Sequence, residues 1–134
     1  MSNKPEPNWQ PISNLPMIAG MIDGQITEVN NQYANLLKAR ENPYILDNYT
    51  IERVIKVFKE QQEFIWIYEK QLSRWGVEKL SISQKNEITR LQGQVEKWNI
   101  GLTDILALAE ELKSGTIEKM VAKSDLKLGM KFTI

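Results

Sequence analysis

Apolar side chains recur at intervals of three and four residues along three long stretches of this 134-residue chain. This spacing places them on one face of an α-helix, and such a face must be buried against other helices. Short connections make successive helices antiparallel neighbours. The sequence therefore predicts an all-α fold, an up-down-up bundle of three long antiparallel helices. The third stretch follows the pattern without a gap, at Ile88, Leu91, Val95, Trp98, Leu102, Ile105, Ala109 and Leu112.

Local signals set the predicted ends of these helices. Side chains that accept hydrogen bonds from free backbone N–H groups favour a helix start, and glycine or a following proline favours a stop. The signals place helix one from Ser13 or Asn14 to Pro43, helix two from Asp47 or Asn48 to Gly76, and helix three from the capping-box sequence Ser81-Ile82-Ser83-Gln84 to Ser114-Gly115.

The two ends of the chain differ in pattern from the helical domain, residues 13–122. Residues 1–12 contain three prolines, which predict an extended lead-in, and we expect its Trp9 to fold back onto the bundle. After a short fourth helical turn to about residue 122, residues 123–134 alternate apolar and polar positions, which predicts an extended, strand-like C-terminal arm. A lone strand leaves its backbone unpaired, so the arm either pairs with its copy on a second subunit or lies along the bundle. The apolar positions of the arm are Leu126, Leu128, Met130, Phe132 and Ile134.

Four glycines interrupt helices one and three. Gly20 and Gly24 weaken helix one unless they allow another helix to approach closely. Gly93 and Gly101 lie off the apolar face of helix three. We therefore expect these two to lower helix stability without affecting the core.

The chain contains no histidine and no cysteine. This composition removes the commonest nucleophiles, general bases and metal ligands, and it excludes disulfides. Arginine and lysine alone can stabilise charge in a transition state, but no charged cluster converges within an apolar face. We therefore predict no enzyme activity, no metal site and no cofactor.

Charge and hydropathy disfavour two further classes of partner. Seventeen basic and seventeen acidic residues cancel and are mixed along the chain, so no concentrated basic face for nucleic acid is visible. No stretch approaches the roughly 20 apolar residues of a membrane span. The first residues lack the apolar core of a secretory signal, and the expected location is the cytoplasm.

A run of apolar residues in helix two extends beyond the face that the bundle buries. Trp66 and Ile67 project away from that face, and Phe64 flanks it. Lysine stems such as that of Lys70 would cover this pair, or another subunit or partner would, because aromatic residues concentrate in interface cores. We predict an interface, in the first place that of a homodimer, formed by Phe64, Trp66, Ile67, Leu126, Leu128, Met130 and Phe132.

These features favour a non-enzymatic helical interaction protein. In this interpretation the chain is a dimeric adaptor or regulator that presents a surface to a protein partner. The alternative is a helical bundle that holds an apolar small molecule between its helices, near Trp75, Trp98 or Tyr68, because the cores of bundles host such sites. The sequence does not identify a partner or a ligand.

Overall fold

The computed structural model describes residues 6–42 and 46–132, with side chains described as far as residue 115. Every regular element in these ranges is helical. A short 3₁₀ turn leads into α1, and α3 is the longest of the three helices. The elements are the turn Ile12–Asn14, α1 Leu15–Glu41, α2 Asn48–Gly76 and α3 Ile82–Phe132.

The predicted N-terminal caps of α2 and α3 are confirmed. The Asp47 carboxylate accepts a hydrogen bond from the backbone N–H of Thr50 at 2.8 Å. At the start of α3 the Ser81 hydroxyl accepts from the Gln84 backbone N–H at 3.1 Å, and the Gln84 side chain accepts from the Ser81 backbone N–H at 2.9 Å. Each contact satisfies a donor that the helix itself leaves free.

The apolar face predicted for α3 forms the centre of the core. Seven of its eight residues are buried, and Leu112 is partly buried. Trp98 is only 3% exposed, as its position in the middle of that face predicts. Because α3 packs against both other helices while α1 and α2 barely approach each other, α3 is the element that holds the bundle together.

Side-chain pairs between the helices follow a consistent order along the chain. Pairs between α1 and α3 rise together in residue number, whereas pairs between α2 and α3 run in opposite order. The pairs are Asp23 with Arg90 and Arg40 with Glu111 in the first case, and Gln62 with Thr103 and Glu52 with Lys113 in the second.

Helix α1 approaches α3 closely at Gly101. A Cβ atom built on Gly101 would lie 2.5 Å from Cγ1 of Val29, whereas Gly20, Gly24 and Gly93 have no such neighbour within 4 Å. The expectation that Gly101 has no effect on the core is therefore wrong. Gly101 lies off the main apolar face of α3, but this side of the helix still faces Val29 of α1.

The C-terminal region departs from its prediction, because α3 continues without a break to Phe132. Neither the helix end at Ser114-Gly115 nor an extended arm from residue 123 is found in the described backbone. A helix satisfies its backbone hydrogen bonds internally, whereas a lone strand does not, and one interior glycine costs a helix only about 1 kcal/mol. In this segment, backbone hydrogen bonding outweighs the alternation of apolar and polar side chains. The side chains of Leu126, Leu128, Met130 and Phe132 lie outside the described residues, and their place in an interface stays a prediction.

None of the described helices combines the length and the apolar content that crossing a membrane requires.

Candidate functional site

An open groove lies between the first half of α1 and the second half of α2. Its volume is about 350 Å³. Met17 and Met21 form the α1 wall, and the α2 wall is formed by Phe64, Ile67 and Tyr68. Met21 follows Met17 by four residues, and Ile67 and Tyr68 follow Phe64 by three and four, so the members of each set lie on one face of their helix. The groove exists because α1 and α2 each pack on α3 but scarcely on each other.

The lining of this groove is uncharged among the described residues and remains partly exposed to solvent. Met17 is 52% exposed, Met21 45% and Phe64 57%. Other depressions on the described surface differ in character: the one on the first half of α2 is lined by Glu52, Arg53, Lys56 and Glu60, among others. A solvent-exposed apolar surface is a candidate binding site, since contact with a partner removes that surface from water, which is favourable.

Residues 6–11, which we call the strap, precede the 3₁₀ turn and lie against α2. Asn8, Trp9 and Gln10 contribute to the lining of the groove. The Trp9 ring meets the Trp66 ring edge to face, with centroids 6.4 Å apart, and the Arg74 guanidinium carbon lies 4.9 Å from the Trp9 ring centroid. The prediction that Trp9 folds back onto the bundle is confirmed.

Gln10 is held on α2 by a set of hydrogen bonds that we call the clasp. Its backbone N–H donates to Oε1 of Gln71 at 2.6 Å, and its backbone carbonyl accepts from Nε2 of Gln71 at 3.3 Å and from Nε1 of Trp75 at 2.9 Å. The Gln10 side chain accepts from the Asn14 amide at 2.6 Å. Gln71 is only 5% exposed, so the clasp satisfies a polar group that is costly to bury alone.

Tyr68 connects the groove to the core. Its ring packs edge to face on Trp98, with centroids 5.1 Å apart, and it also lines the groove. Burial raises the pKa of the Tyr68 hydroxyl, because the charged phenolate loses its water. Tyr68 therefore remains a neutral group at physiological pH.

A charged network joins α1 to α3. Arg90 donates two hydrogen bonds to the Asp23 carboxylate, at 2.9 and 3.0 Å, and Gln94 donates a third at 3.1 Å. The Arg90 hydrogen bonds, followed by the Gln94 bond, hold the pKa of the Asp23 carboxyl below its ordinary value. Arg90 and Gln94, the two partners of the Asp23 carboxylate, both belong to α3, so the network is a contact between helices.

The structure brings two of the three helix-two residues predicted for an interface into the groove. Phe64 and Ile67 line it, whereas Trp66 lies beside it, under Trp9, and keeps 43% of its surface exposed. The predicted cover for this region is lysine stems, another subunit or a partner, whereas the ring that the structure places against Trp66 is the chain's own Trp9. A further interface with another subunit stays a prediction.

Sequence analysis missed the α1 wall of the groove and the clasp. Met17 and Met21 are four residues apart and lie outside the apolar face that the spacing predicts for helix one, and this second apolar pair was a usable signal. That face consists of Leu15, Ala19, Ile22, Ile26, Val29, Tyr33 and Leu36. Gln71 gave no such signal, because its burial depends on Gln10, 61 residues away in sequence. Of the sites proposed for an apolar ligand, Tyr68 lies at the groove, Trp75 at the clasp and Trp98 in the core.

Among the described residues, no group of three or more acidic side chains is arranged to hold a metal ion. No protein-family model, curated protein or solved structure matches this chain.

Proposed function

We propose that this chain is a non-enzymatic interaction module, a dimeric adaptor or regulator, whose groove binds an amphipathic helix of a protein partner. The observation that supports this proposal most directly is the uncharged lining of the groove, in which Met17, Met21 and Phe64 are about half exposed. A partner helix with apolar residues at intervals of three and four would place them in the groove and complete a fourth side of the bundle. Methionine favours this role, because its flexible side chain adapts to different partner surfaces.

The proposed bundle is arranged up-down-up, which makes α1 and α2 antiparallel walls of the groove. The order of the side-chain pairs supports this arrangement: Asp23 and Arg40 of α1 pair with Arg90 and Glu111 of α3 in parallel order. A helix laid between two antiparallel helices packs on both of them along its whole length. The groove is therefore suited to a helix better than to a flat surface.

A peptide-display library of amphipathic helices, panned against the full chain, tests this function. We expect enrichment of peptides with apolar residues at i, i+3 or i+4, and i+7. Phe64→Glu should abolish their binding, because the change places a charge in the apolar groove, and the few residues that dominate an interface cost about 2 kcal/mol or more when they are lost. Val57→Glu is the matched control: Val57 is a 44% exposed residue of the same helix outside the groove. If no helical peptide enriches, or both variants bind alike, the groove is not the binding site.

A second copy of this chain is the alternative occupant of the groove. Light scattering of the wild type and of Phe64→Glu distinguishes it from a different protein. A wild-type dimer that the substitution converts to a monomer would identify the second copy as the occupant. A dimer that persists in Phe64→Glu would place the contact between subunits elsewhere and leave the groove free for a partner.

An apolar small molecule is the second candidate ligand. The groove volume of about 350 Å³ falls at the lower end of the range for small-molecule sites, roughly 300–1,000 Å³. Titration with a fluorescent fatty-acid analogue tests this function. Saturable binding to the wild type that Phe64→Glu abolishes and Val57→Glu retains would support it.

A further inference from the structure

The clasp recognises a peptide backbone rather than a side chain. Gln71 offers its carbonyl oxygen to the N–H of Gln10 and its amide to the carbonyl of the same residue. A neighbouring β-strand makes the same two contacts with the residue opposite it. Trp75 adds a second donor to that carbonyl. All three contacts are to the main chain, so any extended residue other than proline can make them.

Trp9, the strap residue immediately before Gln10, makes side-chain contacts with α2 that favour one type of residue. The Trp9 ring is held by the Trp66 ring and the Arg74 guanidinium, which favour a large aromatic side chain through edge-to-face and cation–π contacts. The Trp9 indole N–H donates to the Glu6 carboxylate at 3.0 Å, within the strap itself. The ring contacts therefore select an aromatic residue immediately before the residue that the clasp holds.

The strap has the backbone of a preorganised ligand. Pro7 and Pro11 restrict their own φ angles and bias Glu6 and Gln10 toward extended conformations. Pro11 itself has φ −70° and ψ 156°, which are polyproline values. An extended segment of this kind loses little conformational entropy on docking, which is the reason that proline-rich peptides bind aromatic grooves.

We propose that Trp66, Gln71, Arg74 and Trp75 form a peptide-binding site on α2, and that the strap is its resident ligand. The ligand class is an extended, proline-flanked segment with a tryptophan before the clasped residue. A partner protein that carries such a segment displaces the strap. This proposal does not depend on helix binding in the groove, because it uses the clasp and the two rings rather than the methionine wall.

A peptide with the sequence of residues 6–12 is the probe, and the full chain with Trp9→Ala is the receptor. This variant keeps the site but weakens its resident ligand, so we expect the labelled peptide to bind with saturation in an anisotropy titration. The wild type should bind it at least about tenfold more weakly, because the tethered strap competes at a high effective concentration. A peptide with alanine in place of its tryptophan should not bind. Absence of binding, or equal binding of both peptides, would overturn the proposal.

Two further variants test the clasp itself. Gln71→Met in the Trp9→Ala receptor keeps the length of the side chain and removes both hydrogen-bonding groups, so affinity should fall about tenfold or more. Gln92→Met, at an exposed glutamine of α3 away from the strap, is the control and should bind like its parent. The same hydrogen bond can also be removed from the peptide. A probe with an ester oxygen in place of the Gln10 backbone N–H has no donor for Gln71, and the protein is unchanged. If the ester probe binds as well as the amide, the clasp does not read the backbone and the proposal is wrong.

Discussion

Alanine at Gly101 is the sharpest test of how α1 and α3 pack. In an exposed helix interior the change from glycine to alanine stabilises a protein by about 1 kcal/mol, because alanine orders the helix at lower entropic cost. At Gly101 the new Cβ atom would lie 2.5 Å from Cγ1 of Val29. Val29 is 2% exposed and β-branched, so its methyl group has neither free space nor an alternative rotamer available at low cost.

The two effects have opposite signs, and their sum decides the result. Over-packing of a close-packed core costs about 1–3 kcal/mol, against the gain of about 1 kcal/mol in helix propensity. Gly101→Ala should therefore change the free energy of unfolding by between zero and about 2 kcal/mol in the destabilising direction. Gly93→Ala, at an exposed position of the same helix with open space around it, should stabilise by up to about 1 kcal/mol.

Urea denaturation of the two variants measures the difference directly. A double-mutant cycle with Val29→Ala tests whether the Val29 side chain causes the cost of Gly101→Ala, because removal of the Val29 methyl groups makes room for the new Cβ atom. Val29→Ala should cost less in the Gly101→Ala background than in the wild type, with a coupling energy of about 1–3 kcal/mol. If Gly101→Ala stabilises the chain as much as Gly93→Ala does, the close approach of α1 to Gly101 is absent in solution and the packing described above is wrong.

Three other substitutions test the core, a cap and the charged network by denaturation. Trp98→Ala should destabilise by about 3–5 kcal/mol because of the cavity it leaves, and a loss below about 1 kcal/mol would contradict its burial. Asp47→Ala should lower the urea midpoint of unfolding, because the hydrogen bond to the Thr50 backbone N–H is lost, and serine at the same position should restore most of it. The pKa of Asp23 is lower in the folded than in the unfolded chain. The ionised carboxylate therefore stabilises the fold fully above the unfolded pKa of about 3.9, and this stabilisation is lost as the pH falls through the lower folded value. Asp23→Asn should therefore reduce the free energy of unfolding at pH 7 by about 0.2–1 kcal/mol, the range for an exposed ion pair. The difference in stability from the wild type should shrink in acid. A difference that is equal at pH 7 and pH 2 would contradict the pKa argument.

The parts of the fold that the sequence predicts are those set by nearby residues. The hydrogen bonds that start α2 and α3 join groups three positions apart, as between Asp47 and Thr50, so the cap motifs identify them. The buried face of α3 depends only on helical spacing, and Trp98 lies in its middle. These predictions need no knowledge of which helices meet.

The features that sequence analysis missed depend on contacts between distant segments. Gly101 matters because Val29, 72 positions earlier, lies against it, and nothing in the spacing of α3 marks that side. Gln71 is buried because the strap returns across α2. The helical backbone beyond Gly115 shows a different limit: the period-two pattern predicts a strand, but a lone strand leaves its backbone groups unpaired and a helix does not. The groove itself was half predicted, through Phe64 and Ile67 but without its methionine wall.

The position of α3 between the other two helices has a consequence for how the chain opens. Since α1 scarcely contacts α2, it is attached to the rest of the molecule by α3 along its length and by the strap at its start. The packed pair of α2 and α3 can persist while α1 detaches as one cooperative unit. Amide hydrogens of α1 should then exchange together, at a lower opening free energy than those of α2 and α3. Loss of the Gln71 clasp would remove one of the two attachments and accelerate exchange in α1, although Gln71 itself belongs to α2.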